Sequence, residues 1–299
     1  MDEEKQEHII IDYKKKPYKQ GNLDIGVGLN QVDNLKPSSY FYKAISESKT
    51  YGEIEDKLTI YYHKQNQNDP KIQAEKECDL VSIRIAQILD ENHFKMTIVA
   101  LKNIHKKLFS GVFSRINEKY VGNFRDYNIE KKEPILDGDS VNYGQYDEMV
   151  EYLEYDLEAE SRKNYALIPK EQWSKNIAKF VSNIWEIHPF AEGNTRTTAV
   201  FTIKYLRYKN IPCDNTLFKE KSKYFRNALV LANYGNMQKG ITPDSSYLES
   251  FFKKLIENPA LELKKMPKNI MDKSHTFTQK PKTRPYKQNP KTKDDGLTL

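Results

Sequence analysis

His188-Pro189-Phe190-Ala191-Glu192-Gly193-Asn194-Thr195-Arg196 joins two segments of helical periodicity, and the fold is decided by how this stretch is read. Upstream, Trp173, Ile177, Phe180, Val181, Ile184 and Trp185 recur at three- and four-residue spacing, which predicts an amphipathic helix ending against His188. Downstream, Val200, Ile203, Tyr205 and Leu206 belong to a second helix starting near Thr195 or Arg196. Pro189 stops the first helix, because the residue before a proline is pushed out of the α region. The loop is therefore short, and it delivers the chain to a fresh helix N-terminus.

Such a terminus presents unpaired N–H groups and the positive end of the helix dipole, so it attracts anions. Gly193 removes a side chain where backbone must approach a ligand. Arg196, in the first turn, adds a planar fork of donors matched to phosphate oxygens. A carboxylate beside an anion is repulsive unless a divalent cation lies between them. Mg²⁺ uses one or two carboxylates together with substrate phosphates, which makes Glu192 the candidate metal ligand. His188, with an ordinary pKa near neutrality, is the candidate general base for a hydroxyl. Phe190 has no chemistry to offer and anchors the loop. Taken singly, each residue has a bland alternative: a polar helix cap, a turn, a solvated arginine. Their joint occurrence carries the argument.

The loop closely resembles the signature of the Fic family: histidine, any residue, phenylalanine, any residue, Asp/Glu, Gly, Asn, a variable residue, then Arg. The resemblance implies a mainly α fold, a Fic-type helical bundle with a small β-hairpin flap. It also implies transfer of AMP from ATP to a Ser, Thr or Tyr hydroxyl of a target protein. By that resemblance His188 is the general base, Glu192 holds Mg²⁺, and Gly193, Asn194, Thr195 and Arg196 bind the nucleotide while pyrophosphate leaves. Thr195 replaces the commonest Gly of the motif. Ala199 stands where many members carry a second Arg, which contacts the γ-phosphate and pairs with an inhibitory Glu. Another nucleotide, a phosphate or a phosphocholine occurs as donor chemistry on the same fold. A catalytically weak Fic-fold binding or regulatory protein is the alternative from another class.

Outward from the loop, the chain divides into a flexible N-terminus at 1–20, a helical accessory module at 21–65, a polar connector at 66–79, a Fic domain at 80–260 and a basic disordered tail at 264–299. The module is similar to the antitoxin-like unit that accompanies many Fic domains and delivers a carboxylate into the nucleotide site. Its nearest match to that unit's motif is Leu29-Asn30-Gln31-Val32-Asp33-Asn34, with Asp33 as the candidate inhibitory residue. Because Ala199 offers no guanidinium, Asp33 is expected to have little hold on the site. Ile104-His105-Lys106-Lys107-Leu108-Phe109 resembles the opening helix of the Fic core, with His105 structural. Asp137-Gly138 is a hairpin turn signal between short extended runs. An exposed hairpin edge can pair with another chain, and the resemblance makes Ile135, Leu136, Asp137 and Gly138 the flap that holds the target. Tyr224 and Asn233, on a later helix, are candidate adenine contacts, with core packing an equal explanation for Tyr224.

Hydrophobic content of 38% and charged content of 30% describe a soluble chain. An acidic start without a signal-peptide pattern, no apolar run of membrane-spanning length, and two cysteines without metal spacing make reduced cytoplasm the expected home. Of the net charge of +6, residues 264–299 contribute nine Lys and one Arg against three Asp, a balance of +7, which leaves −1 elsewhere. The basic excess is a property of the tail, and no groove-reading motif supports nucleic acid as a partner. No membrane partner is expected, and a homo-oligomer is left open.

Overall fold

The computed structural model describes residues 15–113 and 118–268. Eleven helices appear among them: α1 Gln20–Asn30, α2 Ser39–Ser46, α3 Tyr51–His63, α4 Pro70–Asp90, α5 Ile98–Phe109, α6 Met149–Ser161, α7 Trp173–Ile187, α8 Asn194–Tyr208, α9 Thr216–Glu220, α10 Ser222–Asn233 and α11 Ser246–Ile256. The mainly α expectation holds. The described residues contain no strand, only the isolated bridges Pro17 to Thr50 and Asn236 to Ile241.

Several helix starts follow from local chemistry. Thr50 accepts the N–H of Glu53 while the Glu53 carboxylate reaches back to the N–H of Lys49, a variant of the reciprocal capping box. Ser38 and Thr97 cap α2 and α5 in the same manner, and Asp69 followed by Pro70 opens α4. That start corrects the polar connector expected at 66–79. Its polar composition is that of a helix whose first two turns are partly solvated, whereas the residues from Cys78 onward are mostly buried.

The axis of the molecule is α8. Every residue from Asn194 to Leu206 is buried, as expected of a helix enclosed on all sides. Two of its polar side chains are satisfied inside, Thr202 Oγ1 donating to the Thr198 carbonyl and Lys204 Nζ to the Ile88 carbonyl at 3.0 Å, whereas Thr197 Oγ1 is buried without a hydrogen-bond partner. Burial pulls the Lys204 pKa down to about 8. The motif loop is thus the inlet of the central helix, and its position is fixed by the whole core.

The N-terminal helices share that core. Helix α1 lies so close to α4 that a Cβ on Gly26 would sit 2.3 Å from the Ser82 carbonyl oxygen. Buried Asp79 of α4 accepts from Ser38 N–H, Ser38 Oγ and Tyr62 Oη, at 3.0, 2.6 and 2.6 Å, which ties α2 and α3 down. Burial raises the Asp79 pKa to about 6 despite these donors. Residues 15–20 are also tied to the body, contrary to the flexible start expected there. Lys16 and Lys19 approach the Asp90 carboxylate at 2.9 and 2.5 Å, and Pro17 bridges Thr50. The rest of the expected flexible start, 1–14, lies outside the described residues. Of the expected tail, 269–299 also lies outside them. Its root is held, with Lys264 Nζ 3.8 Å from Asp244 and 4.5 Å from the centre of the Tyr247 ring.

The loop at 132–143 departs most from expectation. The turn itself forms, with Asp137 and Gly138 both at positive φ, but its flanks do not pair as strands. Pro134 lacks a donor and opens a 3₁₀ turn, Pro134–Leu136. Ile135 and Leu136 then point into the core, 5% and 1% exposed. The loop is closed by Glu133 N–H donating to the Asp139 carbonyl at 2.9 Å. A compact turn anchored by buried side chains replaces the hairpin.

Gly26→Ala should lower stability by about 1–3 kcal/mol, the usual cost of overpacking. The clash is with rigid backbone, so a urea midpoint equal to that of the parent would contradict the close α1–α4 contact.

Candidate functional site

His188 is the C-cap of α7 and takes φ 51°, ψ 55°, a left-handed conformation unusual outside glycine. Its backbone N–H donates to the Trp185 carbonyl at 3.0 Å. Its Nδ1 lies 3.3 Å from the same oxygen. A carbonyl can only accept, so the ring proton sits on Nδ1 and the lone pair on Nε2. The ring rests against Tyr143, centroids 4.1 Å apart, with the Trp185 indole edge-on at 5.2 Å. Burial, then Lys131, and further Arg125 and Arg226, hold its pKa well below the ordinary value of 6.5. The neutral form, the one able to accept a proton, is therefore the resting form at neutral pH.

The loop after His188 is held by its own side chains and by those of its neighbours. Asn194 closes it, its Oδ1 accepting the Phe190 N–H at 2.9 Å and its Nδ2 donating to the Phe190 carbonyl at 2.7 Å. Thr195 Oγ1 accepts from the Trp185 indole at 3.0 Å. The Asn194 amide is committed to the loop, whereas Thr195 Oγ1 acts there as an acceptor and keeps its own hydroxyl proton. Gly193 has φ 74°, and a Cβ there would lie 2.4 Å from the Phe109 ring. Phe109 and the backbone conformation thus each require glycine here. His105 supports the loop from below. Its Nδ1 accepts the Gly122 N–H at 2.9 Å, so Nε2 carries the proton and donates to the Glu192 carbonyl at 3.0 Å. Its ring stacks on Phe190 at 3.9 Å, and burial brings its pKa down to about 4. The structural role expected of His105 is what its contacts describe.

Arg125 does most to pin His188. Its guanidinium donates to the carbonyls of His188, Tyr127, Gly144 and Ile187 at 2.9, 2.5, 2.5 and 3.2 Å, and its N–H donates to the Pro189 carbonyl at 2.9 Å.

The first turn of α8 has no side-chain cap, so N–H groups remain for an anion there. The Arg196 fork, however, is occupied. Its Nη1 donates to Asn30 Oδ1 at 2.9 Å and its Nη2 to Glu77 at 2.6 Å. Its Nε lies 3.0 Å from Asp33 Oδ2, off the N–H direction, so that contact is ionic without an aligned hydrogen bond. The group sits 4.8 Å over the Phe109 ring and is 3% exposed. The expectation that Asp33 lacks a guanidinium partner is thereby corrected. The helix turn after Asn30 brings Asp33 to Arg196, and a second arginine, Arg226 of α10, stands 3.5 Å from its other oxygen.

Glu192 is exposed and pairs with Lys131 Nζ at 2.9 Å. Asn233 borders a cavity of about 1030 Å³ between α6, α7 and the segment after α10, which Tyr143 also lines. Its amide is engaged by Ser182 Oγ and the Leu229 carbonyl at 3.0 and 2.9 Å. Tyr224 packs elsewhere, 6.4 Å from the Phe251 ring, with its hydroxyl on the Tyr247 carbonyl. Of the four residues expected to hold a target, Ile135 and Leu136 are buried, while Asp137 and Gly138 are exposed.

Residues 95–206 match the model of the Fic/DOC family. This segment is similar to a Fic/DOC domain, which supports a Fic-type transferase in general terms. No curated protein matches the chain. The matched segment contains the motif loop, Arg125 and His105. Asn30, Asp33, Glu77 and Arg226 lie outside it. Of the residues that sequence reasoning passed over, Glu77 had a signal: Asp69-Pro70 is a helix start that places it on α4. Arg226, Lys131 and Glu133 had none, because their roles depend on tertiary placement.

Proposed function

We propose that the protein transfers AMP from ATP to a hydroxyl of a target protein. The target oxygen would attack the α-phosphorus, the bond to pyrophosphate would break with its electron pair leaving on pyrophosphate, and the hydroxyl proton would pass to His188 Nε2. The observation that carries the reading is the fixed tautomer of His188 beside the uncapped N-terminus of α8. A neutral imidazole with its lone pair on Nε2 is the state a general base requires. Backbone N–H groups at the start of α8 and the Arg196 fork are the anion donors in this reading. Asp137 and Gly138 form the exposed edge over which a target would lie, and Asn233 is kept as a nucleoside contact because it lines the cavity beside Tyr143.

Mg²⁺ belongs to the same reading. Glu192 fits as a lone, half-exposed carboxylate, and no group of three or more metal-ligating side chains occurs among the described residues. A cation held here would take its remaining ligands from phosphates and water, as Mg²⁺ commonly does. When bound, the ion would neutralise phosphate charge, and Lys131 would lose its partner.

The occupied Arg196 fork favours a restrained form of this enzyme. Asn30, Asp33 and Glu77 take the donors that a phosphate would use.

Three outcomes check these readings. With labelled ATP, Mg²⁺ and a lysate, His188→Ala should lower transfer about 10²–10⁴-fold, the usual contribution of a general base. Equal labelling by mutant and parent would overturn the assignment. Because the His188 pKa is depressed, its basic form is present above the folded value and lost only as pH falls through it. The acid limb of kcat/KM should accordingly lie below pH 6.5, the ordinary histidine value, and a limb at or above it would show another base at work. Asp33→Gly should raise the initial rate by about tenfold or more, roughly 1.4 kcal/mol of barrier. A rate unchanged in Asp33→Gly and in Glu77→Gln would point to the weak binding protein.

A further inference from the structure

We propose that Arg226 supplies the second guanidinium of the polyphosphate site, so that an arginine from α10 and Arg196 of the motif together hold a phosphate where the Asp33 carboxylate now sits. The inference rests on the nucleotide reading above for the identity of its natural ligand, but the anion site itself stands on geometry. Asp33 places one oxygen 3.0 Å from Arg196 Nε and the other 3.5 Å from Arg226 Nη1. A carboxylate lying between two guanidinium groups, one oxygen on each, occupies the place of a phosphate group bound in the same way. Asp33 is 38% exposed, whereas Arg196 is buried, so the carboxylate is the part of the cluster that solvent and ligand reach first.

Position 199 contributes no charge. Ala199 is fully buried within α8, and any second arginine must come from outside that helix. Arg226 meets the need from α10. Its Nη2 donates to both Glu133 oxygens, each at 3.0 Å, and its Nη1 donates to the Val32 carbonyl at 3.1 Å. A planar group tied through both terminal nitrogens is held in one orientation, with Nη1 already toward Asp33.

The charges around the site set a condition. Arg196 and Arg226 face Asp33, Glu77 and Glu133, two positive groups against three negative ones. With Asp33 withdrawn the cluster is balanced, and a bare polyphosphate would bring a large uncompensated negative charge. The ligand must therefore arrive with a divalent cation, or draw on Lys131 once Glu192 releases it.

The test is calorimetry on the full chain carrying Asp33→Asn, with inorganic tripolyphosphate and ATP as probes, each in the presence and absence of Mg²⁺. Arg226→Gln added to this background should weaken Mg²⁺-dependent binding of both probes by about ten- to a hundredfold, the usual scale for losing a charge-assisted bond to phosphate. Glu133→Gln in the same background removes the anchor but leaves the guanidinium, and should weaken binding less than about threefold. Equal losses in the two variants would show that Arg226 acts only by tying down the 132–143 loop, and would overturn the proposal. So would unchanged binding in Arg226→Gln, or failure of Asp33→Asn to bind either probe. If Arg226→Gln does not fold, Arg226→Lys takes its place: it keeps the charge and loses the fork, and parent-like binding of both probes would count against the arginine. Tripolyphosphate binding that depends on Arg226, without ATP binding, would uphold the anion site while removing ATP as the donor.

Discussion

A guanidinium buried at the heart of a helical bundle has to be paired, because an isolated charge there would cost several kcal/mol. Arg196 is that group, and its position dictates much of the rest. It opens the central helix, lies over Phe109, and finds its charge partners on two segments far away in sequence, Asp33 after α1 and Glu77 on α4. Removing either carboxylate leaves the arginine enclosed with one fewer partner. The N-terminal helices therefore cannot be treated as a loosely attached cover. They complete the electrostatics of the motif, and through Asp79, Tyr62 and the close contact at Gly26 they complete the core as well. A truncation at residue 65 would uncover α4 along its buried face. Any gain of activity from it would be mixed with loss of structure, which makes single-residue changes at Asp33 and Glu77 the cleaner probes.

The motif separates physically into residues that hold the loop and residues that face outward. Asn194, Thr195, Gly193 and Phe190 belong to the first group, with Arg125 and His105 acting from neighbouring segments. Glu192 belongs to the second, and the His188 ring is oriented by its Nδ1 contact with the Trp185 carbonyl. Such a division has an energetic logic. A left-handed histidine carries local strain, which persists only where surrounding contacts over-determine the backbone, whereas Gly193 adopts the same region freely. Arg125 alone binds the carbonyls on both sides of the His188 peptide region. The precision with which the imidazole is held comes from contacts within the chain.

How much of this was legible follows from the range of the interactions involved. Periodicity, Pro189 and the motif located α7, the loop and α8, because those features are local in sequence. Thr50-x-x-Glu53 and Asp69-Pro70 were equally local, yet the polar surface of early α4 hid the second. The 132–143 segment misled for a different reason. Asp137-Gly138 does form its turn, but whether the flanks pair as strands depends on what their side chains can reach. Glu133 reaches Arg226, and Ile135 and Leu136 reach the core, so burial and an ion pair outweigh a weak two-stranded ladder. Asp33 misled by analogy. The absence of an arginine at 199 is visible in the sequence, whereas the availability of Arg196 and Arg226 to the same carboxylate is a property of three dimensions.

That carboxylate also joins regions that would otherwise respond separately. Asp33 touches Arg226, Arg226 Nη2 donates to both Glu133 oxygens, Glu133 accepts from Tyr143 at 3.4 Å, and the Tyr143 ring rests on His188. Spatial continuity is not coupling, which requires an element with two arrangements that both ends bias. Asp33 lies at the solvent-facing edge of the cluster on a short 3₁₀ turn, Gln31–Asp33, whose C-cap Asn34 is left-handed. Its withdrawal would relieve one partner of Arg226 and leave Glu133 as the sole carboxylate on that guanidinium. The tightening of one pair as another is lost would be felt at the root of the 132–143 loop, where a target would lie. Entry of an anion at the arginines and reshaping of the target edge would then be a single event.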